Sequence, residues 1–278
     1  MEAPVGLIAA GGRLPVAAAD GIRQAGRTVA CVGLRDQFDA DLPQHCDQFR
    51  AAGLIQIGRW IRLLKKWGAS EAVLVGKVAK VKMHDPLRLF RHRPDFRAAK
   101  VWFIATRYDK RPDAMLGAVA DELKKEGITL IDSTTYIPKL MAERGVMTTT
   151  QPTAGQRADI DFGLPIAQHM GELDVGQSLA VKDHDVLAVE ALEGTDQMIV
   201  RAGSLCRTGG WTMLKIAKPK QDMRFDVPTV GPNTIERLKA ANAGCLAIEA
   251  GKTIMLEKAK MLAAADRAGI AVIGVKVG

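Results

Sequence analysis

The sequence predicts an α/β fold, with a parallel β-sheet and covering helices in its first half and a mixed α+β arrangement in its second half. Three observations lead to this prediction. Short apolar runs of strand length alternate with segments whose apolar residues have helical spacing, and Gly-rich turns join them. At 278 residues, of which 47% are hydrophobic, the chain is long enough to form two domains with buried cores.

The first half of the chain predicts strands and helices in alternation. Strands are expected at residues 5–9, 28–32, 72–75 and 128–131, and helices at 16–24, 58–67 and 114–125. A glycine follows each of the three helices, as is typical of helix ends. This order predicts a Rossmann-like N-terminal domain over residues 1–137.

The pattern changes over residues 138–152, which we interpret as a linker because residues 146–152 are polar, Thr-rich and aperiodic. Residues 153–278 then form a predicted C-terminal domain of mixed α+β type. Two short apolar runs that flank Asp183-His184-Asp185 are typical of a β-hairpin. The other elements expected here are strands at 178–181, 186–189, 211–216, 245–248 and 270–275 and helices at 234–241 and 253–267.

The cysteines indicate a reducing compartment. Cys31, Cys46, Cys206 and Cys245 lie far apart, with no C-x-x-C pair and no histidine at zinc-finger spacing. Reduced cysteines in a cytosolic protein are therefore expected. Zinc is disfavoured, and a bound metal is expected to have oxygen ligands.

The formal net charge of +8 is concentrated in one window, residues 77–111. This window contains eleven Lys or Arg, three Asp and no Glu, whereas the rest of the chain is balanced. Its cations are interleaved with Phe90, Phe96, Trp102 and Phe103, a combination suited to an anionic membrane surface or an amphiphilic ligand. A solvated helix face is the alternative. Nucleic acid is disfavoured, because the chain has only two tyrosines and no recognisable binding module.

The turn Gly11-Gly12-Arg13 follows the first predicted strand and precedes a helix. Free backbone N–H groups and the helix dipole at such a turn favour phosphate groups. The spacing departs from G-x-G-x-x-G, and the turn has no Lys-Ser/Thr pair of a P-loop. A tight strand-to-helix turn without a ligand is the alternative interpretation.

The stretch from Leu187 to Pro232 carries the strongest functional signal. Glu190 ends an apolar strand, and Glu193 and Asp196 are expected on the Gly-containing turn beyond it. Carboxylates placed in this way can converge on a hard divalent cation such as Mg²⁺, with water and phosphate oxygens completing its coordination.

Cations follow the carboxylates in the same stretch, and they suit the charge that develops during phosphoryl transfer. They are Lys215, Lys218, Lys220 and Arg224, and Asp222 and Asp226 flank Arg224. A solvated loop of alternating charge is the alternative. The prolines and glycines of this stretch instead favour a rigid, specifically shaped loop region, where catalytic groups are commonly found. The chemistry expected is that of a metal-dependent enzyme acting on a phosphorylated substrate.

The sequence also resembles a known family along nearly its whole length. The similarity is carried by Gly6-Leu-Ile-Ala-Ala-Gly-Gly-Arg-Leu-Pro15, Val75-Gly-Lys-Val78, Asp132-Ser-Thr134, Val189-Glu-Ala-Leu-Glu-Gly-Thr-Asp196, Gly209-Gly210, Lys215–Pro219, Gln221-Asp222, Arg224-Phe-Asp226, Pro228-Thr229 and Gly231-Pro232. The family is the UDP-2,3-diacylglucosamine pyrophosphatase of Gram-negative bacteria that lack the calcineurin-like enzyme.

This resemblance implies a Mg²⁺-dependent hydrolysis of the diphosphate of UDP-2,3-diacylglucosamine. The products would be UMP and 2,3-diacylglucosamine 1-phosphate, a step toward lipid A, with water attacking the sugar-side phosphorus. It further implies a catalytic C-terminal domain, with the acylated sugar held between the two domains.

Residue roles follow from the resemblance and the charge pattern together. Asp226 is expected to bind Mg²⁺ or orient the water, with Glu193 and Lys215 as further catalytic residues and Glu190, Asp196 and Asp222 as further metal ligands. Substrate-binding residues are expected at Gly11, Gly12, Arg13, Lys77, Thr195, Lys218, Gln221, Arg224 and Thr229.

The expected location is the cytoplasm, in peripheral contact with the inner membrane through residues 77–111. A homodimer is left open. Two other function classes also stay open: a nucleotide-sugar binding protein without catalysis, and an NAD(P)-dependent oxidoreductase supported by the glycine turn alone.

Overall fold

The structure, a computed structural model, describes residues 2–78, 95–108, 112–219 and 221–277, without the side chains of 104–108, 112 and 113. Most of the basic window, namely residues 79–94 and 109–111, lies outside the described residues, as does Lys220. The chain forms two compact units. The first comprises Met1–Pro138 with Asp222–Phe225, and the second comprises Lys139–Gln221 with Asp226–Gly278.

The first unit is built on a parallel sheet, as predicted. Its described strands are β1 (Val5–Ala9), β2 (Val29–Leu34), β3 (Gln48–Ala52), β4 (Glu71–Val75) and β5 (Thr129–Leu130). They lie in the order β3-β2-β1-β4-β5, and every neighbouring pair is parallel. The two central strands β1 and β2 are fully buried, which explains their continuous apolar runs.

The described helices of this unit are α1 (Leu14–Gln24), α2 (Ile57–Lys66), α3 (Phe96–Tyr108) and α4 (Pro112–Lys125). Helices α1, α2 and α4 pack on the sheet, and α3 packs against α2 and α4. In α2 the buried residues Ile57, Trp60, Ile61 and Leu64 recur with helical spacing, and they join the core between sheet and helix. This spacing is the reason why the predicted helix at 58–67 is confirmed. Helix α3 was not predicted, because its buried residues Ala98 and Val101 are few and stand among the charged residues of the basic window.

The second unit contains a mixed sheet. Its described strands are β6 (Gly145–Val146), β7 (Ser178–Lys182), β8 (Asp185–Val189), β9 (Trp211–Lys215), β11 (Ala243–Glu249) and β13 (Ala271–Val275). They lie in the order β6-β13-β11-β9-β7-β8. Strands β9, β11 and β13 are parallel, while β7 is antiparallel to both β9 and β8, so that β8 runs in the direction of β9. The predicted hairpin is β7–β8.

Two further strands, β10 (Thr229–Val230) and β12 (Ile254–Met255), pair in parallel beside this sheet. The predicted helix at 253–267 is therefore partly wrong, because its first residues form β12. The remaining helices are α5 (Ala154–Glu172), α6 (Thr195–Leu205), α7 (Pro232–Ala240) and α8 (Lys258–Arg267). None of these described helices, nor those of the first unit, is long and apolar enough to cross a membrane.

Helix α6 corrects one part of the sequence interpretation. Asp196 was expected on a turn with Glu193, but the helix begins at Thr195, directly after Gly194, and Asp196 lies in its first turn. The first-turn position is explained by the helix dipole, which favours an acidic side chain there.

Candidate functional site

The candidate site of the second unit lies at one edge of its mixed sheet. Because β8, β9 and β11 run in the same direction, their carboxyl ends meet at this edge, where α/β proteins commonly bind ligands. Glu190 directly follows β8, Lys215 ends β9 and Glu249 ends β11. All three ionisable side chains are buried. We call this the carboxyl edge of the second sheet.

Lys215 is the centre of a buried polar cluster at the carboxyl edge. Its residue is only 4% exposed, and its Nζ donates to Thr195 Oγ1 over 2.8 Å and to Ser178 Oγ over 3.3 Å. Thr195 Oγ1 in turn donates to Glu190 Oε1 over 2.9 Å. Glu190 Oε2 lies 4.0 Å from Lys215 Nζ and has no hydrogen-bond partner among the described residues.

The cluster thus joins three residues that the sequence assigned to separate roles, namely Glu190, Thr195 and Lys215. Thr195 is also the first residue of α6, whose first N–H groups have no partners within the helix. A buried ammonium group and a helix N-terminus therefore lie side by side. Together they favour negative charge at the carboxyl edge.

The backbone fixes the position of Glu190. Its N–H donates to the carbonyl of Ser178 over 2.9 Å, extending the pairing of β7 with β8 by one residue. The chain reaches Ser178 through Gly176, and a Cβ on Gly176 would lie 2.0 Å from the carbonyl oxygen of Glu190. Only glycine allows this close approach, so Gly176 is needed for the geometry of the cluster.

Replacing Gly176 with alanine is expected to destabilise the protein by about 1–3 kcal/mol, because the new methyl group must displace the backbone of Glu190. Urea unfolding measures the loss. Gly155→Ala is the matched control in α5: its Cβ would meet only one atom, at 4.0 Å, so no loss of stability is expected. Equal stability of the two variants would contradict the role of Gly176.

Side-chain hydrogen bonds help to hold the loop after β9. The N–H of Ala217 donates to Glu249 Oε2 over 2.8 Å, and the N–H of Lys218 donates to Gln221 Oε1 over 2.9 Å. Gln221 Nε2 then donates to Asp226 Oδ2 over 2.8 Å. Asp226 is exposed. Its carboxylate is therefore oriented by Gln221 while remaining accessible.

Lys218 lies on the same loop, at the carboxyl edge of the second sheet. Its Nζ forms an ion pair with Asp174 Oδ1 over 2.5 Å. Helix α5 approaches this loop at Gly171, where a Cβ would lie 3.1 Å from Pro219 Cδ. The loop that carries Lys218 and leads to Asp226 is thus held by the ion pair with Asp174 and by the close approach of α5.

The other predicted catalytic and metal-binding carboxylates of this stretch form separate ion pairs. Glu193 Oε1 pairs with Arg201 over 2.8 Å, and Asp196 Oδ2 pairs with Arg237 over 3.2 Å. In the part of the chain that the structure describes, no three His, Cys, Asp or Glu side chains gather as a metal site. The predicted roles of Glu193 and Asp196 in catalysis and metal binding remain predictions.

Asp222 and Arg224 belong to the first unit. Arg224 Nη2 lies 2.6 Å from Asp222 Oδ2, and its guanidinium is 4.9 Å from the centre of the Phe225 ring. The Arg224 guanidinium holds the pKa of Asp222 below its ordinary value, because the hydrogen-bonded cation favours the ionised carboxylate. Ser133 fixes the segment, because its hydroxyl donates to the carbonyl of Met223 over 2.9 Å.

The predicted phosphate turn lies at the carboxyl end of β1 in the first unit. Gly11 and Lys77 exchange backbone hydrogen bonds of 3.1 and 2.9 Å, which brings the turn beside the end of β4. The strand order reverses between β1 and β4 here, and such switch points are common ligand sites. The N–H of Gly12 donates to Asp39 Oδ1 over 3.2 Å, and Arg13 pairs with Asp41 over 2.5 Å.

Sequence reasoning missed two residues of the site, Ser178 and Glu249. It predicted Gln221 and Asp226 but not the hydrogen bond between them. Glu249 follows an apolar strand, as Glu190 does, and this shared pattern could have revealed it. Ser178 carried no signal, because its role depends on the pairing of β7 with β9. Thr229, predicted to bind substrate, donates from Oγ1 to the carbonyl of Val227 over 2.9 Å.

Fold and site together define a two-unit α/β protein with a buried lysine–carboxylate cluster at the carboxyl edge of a mixed sheet. Two family models match it: that of the LpxI N-terminal domain over residues 4–140, and that of the LpxI C-terminal domain over residues 143–273. The chain therefore belongs to the LpxI family.

A curated relative supports the same assignment. The UDP-2,3-diacylglucosamine pyrophosphatase LpxI of Caulobacter vibrioides is 34% identical, and the alignment covers 98% of this chain and 97% of the relative. Among solved structures, a biotin carboxylase from Campylobacter jejuni matches with a TM-score of 0.23 and 14% identity, covering 74% of this chain and 43% of that one. This TM-score is too low to support an argument about fold or function.

Proposed function

We propose that this chain hydrolyses the diphosphate of UDP-2,3-diacylglucosamine, releasing UMP and 2,3-diacylglucosamine 1-phosphate in lipid A biosynthesis. The observation that carries the proposal is membership in the LpxI family across both units, with a curated pyrophosphatase aligned over nearly the whole chain. The buried cation and the oriented carboxylate of the second unit are suited to this chemistry.

Mg²⁺ is the cofactor we propose. Mg²⁺ is commonly bound by one or two carboxylates, with water and substrate phosphate oxygens completing the octahedron. The exposed carboxylate of Asp226, held on one side by Gln221, fits such a site without a larger cluster of protein ligands. When bound there, the ion would neutralise charge on the diphosphate.

We assign a separate role in this reaction to each of four residues of the second unit. Asp226 orients the attacking water, and Gln221 keeps the carboxylate in position. Lys218, on the fixed loop, would bind a phosphate in place of Asp174. Lys215, covered by Ser178 and Thr195, contributes positive charge from behind the carboxyl edge.

Hydrolysis in ¹⁸O-labelled water tests the reaction. Attack on the sugar-side phosphorus forms a bond from the water oxygen to that phosphorus and breaks its bond to the bridging oxygen, which leaves with UMP. The label is therefore expected in 2,3-diacylglucosamine 1-phosphate, and mass spectrometry of both products detects it. EDTA should abolish the reaction, and added Mg²⁺ should restore it. Label in UMP would contradict attack at the sugar-side phosphorus. Full activity in EDTA would contradict the requirement for Mg²⁺.

A substrate with two acyl chains also favours a peripheral position at the inner membrane, and we propose a cytoplasmic protein that contacts this surface. Binding of the acylated sugar between the two units and a homodimer stay predictions. The nucleotide-sugar binding alternative predicts affinity for the UDP-sugar without release of UMP. The same product analysis distinguishes it.

A further inference from the structure

Helix α3 of the first unit presents three large aromatic side chains to solvent. Phe96 is 85% exposed, Trp102 59% and Phe103 64%. With 3.6 residues per turn, Phe96, Lys100 and Phe103 lie on one side of the helix, whereas Trp102 lies about 120° around the helix from Phe96. We call Phe96, Lys100 and Phe103 the aromatic face of α3. Clustered exposed aromatic residues, unlike single ones, indicate an interaction surface.

The opposite side of α3 is anchored in the first unit. Ala98 and Val101 are buried against the unit. The carboxylate of Asp95 accepts the N–H of Ala98 over 2.8 Å through Oδ1 and the N–H of Gly58 over 2.7 Å through Oδ2. It thereby caps α3 and α2 together.

Ion pairs add to this anchoring. Arg97 donates to Glu122 over 2.9 Å and to Glu126 over 2.7 Å, and Lys65 of α2 lies 3.0 Å from Glu126. Glu122 is buried in this arrangement. Three described carboxylates near α3, those of Asp95, Glu122 and Glu126, are therefore already engaged by cations or by backbone N–H groups.

A basic groove of about 690 Å³ lies beside the aromatic face, between α2 and α3. Its cations are Arg62, Lys65, Lys66 and Arg97, and Phe96 forms part of its wall. Arg62 and Lys66 are exposed, as is Lys100 on the aromatic face. Because Asp95 and Glu126 in the groove wall are engaged as described, the surface next to the aromatic rings is positive.

We propose that the aromatic face of α3 and the basic groove form a docking surface for an anionic phospholipid membrane. Aromatic rings are stabilised at the headgroup boundary, and Lys and Arg beside them are attracted to lipid phosphates. A second copy of the chain fits less well, because it would bring two positive surfaces together. The inference rests on the proposed membrane association and is independent of the hydrolytic chemistry.

Sedimentation with vesicles tests the docking surface without any substrate. We expect the full chain to bind vesicles of phosphatidylethanolamine and phosphatidylglycerol, and to bind phosphatidylcholine vesicles weakly. Arg62→Gln with Lys66→Gln should lower the partition constant about fivefold for each cation. Phe96→Ser with Phe103→Ser should lower it roughly tenfold or more. Added salt should weaken binding by the parent protein.

Two exposed residues of the second unit provide matched controls, Leu205→Ser for the aromatic pair and Lys239→Gln for the cations. Neither control should change vesicle binding. Unchanged binding by the Phe96/Phe103 variant would overturn the proposal. So would a shift of that variant from dimer to monomer in size-exclusion chromatography with unaltered vesicle binding, which would assign the face to a second copy.

Hydrolysis of a substrate dissolved in detergent micelles separates this inference from the proposed function. The α2 and α3 variants should keep the parent activity in micelles. If the α2 and α3 variants bind vesicles as well as the parent protein does while hydrolysis is intact, the docking surface alone is overturned. Vesicle binding that depends on Phe96 and Phe103 in a protein without hydrolysis supports the docking surface and overturns the proposed function.

Discussion

Replacing Asp226 with alanine is expected to lower turnover of UDP-2,3-diacylglucosamine by roughly 10²-fold or more, because the attacking water loses the carboxylate that orients it. Asp226 is exposed and its Oδ2 accepts a hydrogen bond from Gln221, so its removal leaves the core intact. Substrate affinity should therefore remain near that of the parent. Single-turnover kinetics measures the chemical step, and a binding titration with the UDP-sugar measures affinity.

Two further variants sharpen this prediction. Asp226→Asn keeps the shape of the side chain and can still accept from Gln221, yet it should lose turnover because the negative charge is gone. Asp161→Ala removes an exposed carboxylate from α5 in the same unit and should behave like the parent. Near-normal turnover by Asp226→Asn would show that the charge is not used. Near-normal turnover by Asp226→Ala would remove Asp226 from the mechanism.

The predicted elements that the structure confirms are those with a local periodic signal. Strand β1 is a continuous buried run, and α2 repeats its buried residues with helical spacing. Strand β3 was missed because Gln48 and Arg50 interrupt its apolar character at the sheet edge. Helix α5 was missed because the Thr-rich residues before it were interpreted as a linker, although Thr153 and Gln156 form a capping box at its start.

The candidate site shows a different limit of sequence reasoning. Glu190, Thr195 and Lys215 were each predicted to be functional, but their hydrogen-bonded contact depends on the order β9-β7-β8, which no local pattern contains. The contact of Ser133 with Met223 joins residues 90 positions apart. Asp222–Phe225, a short part of the stretch from Leu187 to Pro232, thus belong to the first unit. Single-sequence reasoning finds the chemistry of such residues more readily than their partners.

Replacing Lys215 with methionine is expected to lower the free energy of unfolding by about 3–5 kcal/mol, the cost of leaving a buried carboxylate without its cation. Glu190 would retain its hydrogen bond from Thr195, but its charge would lie unpaired at the carboxyl edge of the second sheet. Urea unfolding measures the loss. Lys260→Met is the matched control: Lys260 pairs with Glu257 over 3.3 Å, and both side chains are exposed, so a loss of about 0–1 kcal/mol is expected.

The double variant Lys215→Met with Glu190→Gln separates the structural role of Lys215 from its role in catalysis. A neutral glutamine can still accept from Thr195, so most of the lost stability should return, because no charge is left buried. Turnover should remain low, because the positive charge behind the carboxyl edge is still absent. A stable double variant with parent turnover would restrict Lys215 to a structural role. A double variant as unstable as Lys215→Met would instead show that the hydrogen bonds of Lys215 Nζ to Ser178 and Thr195, rather than its pairing with the Glu190 charge, stabilise the second unit.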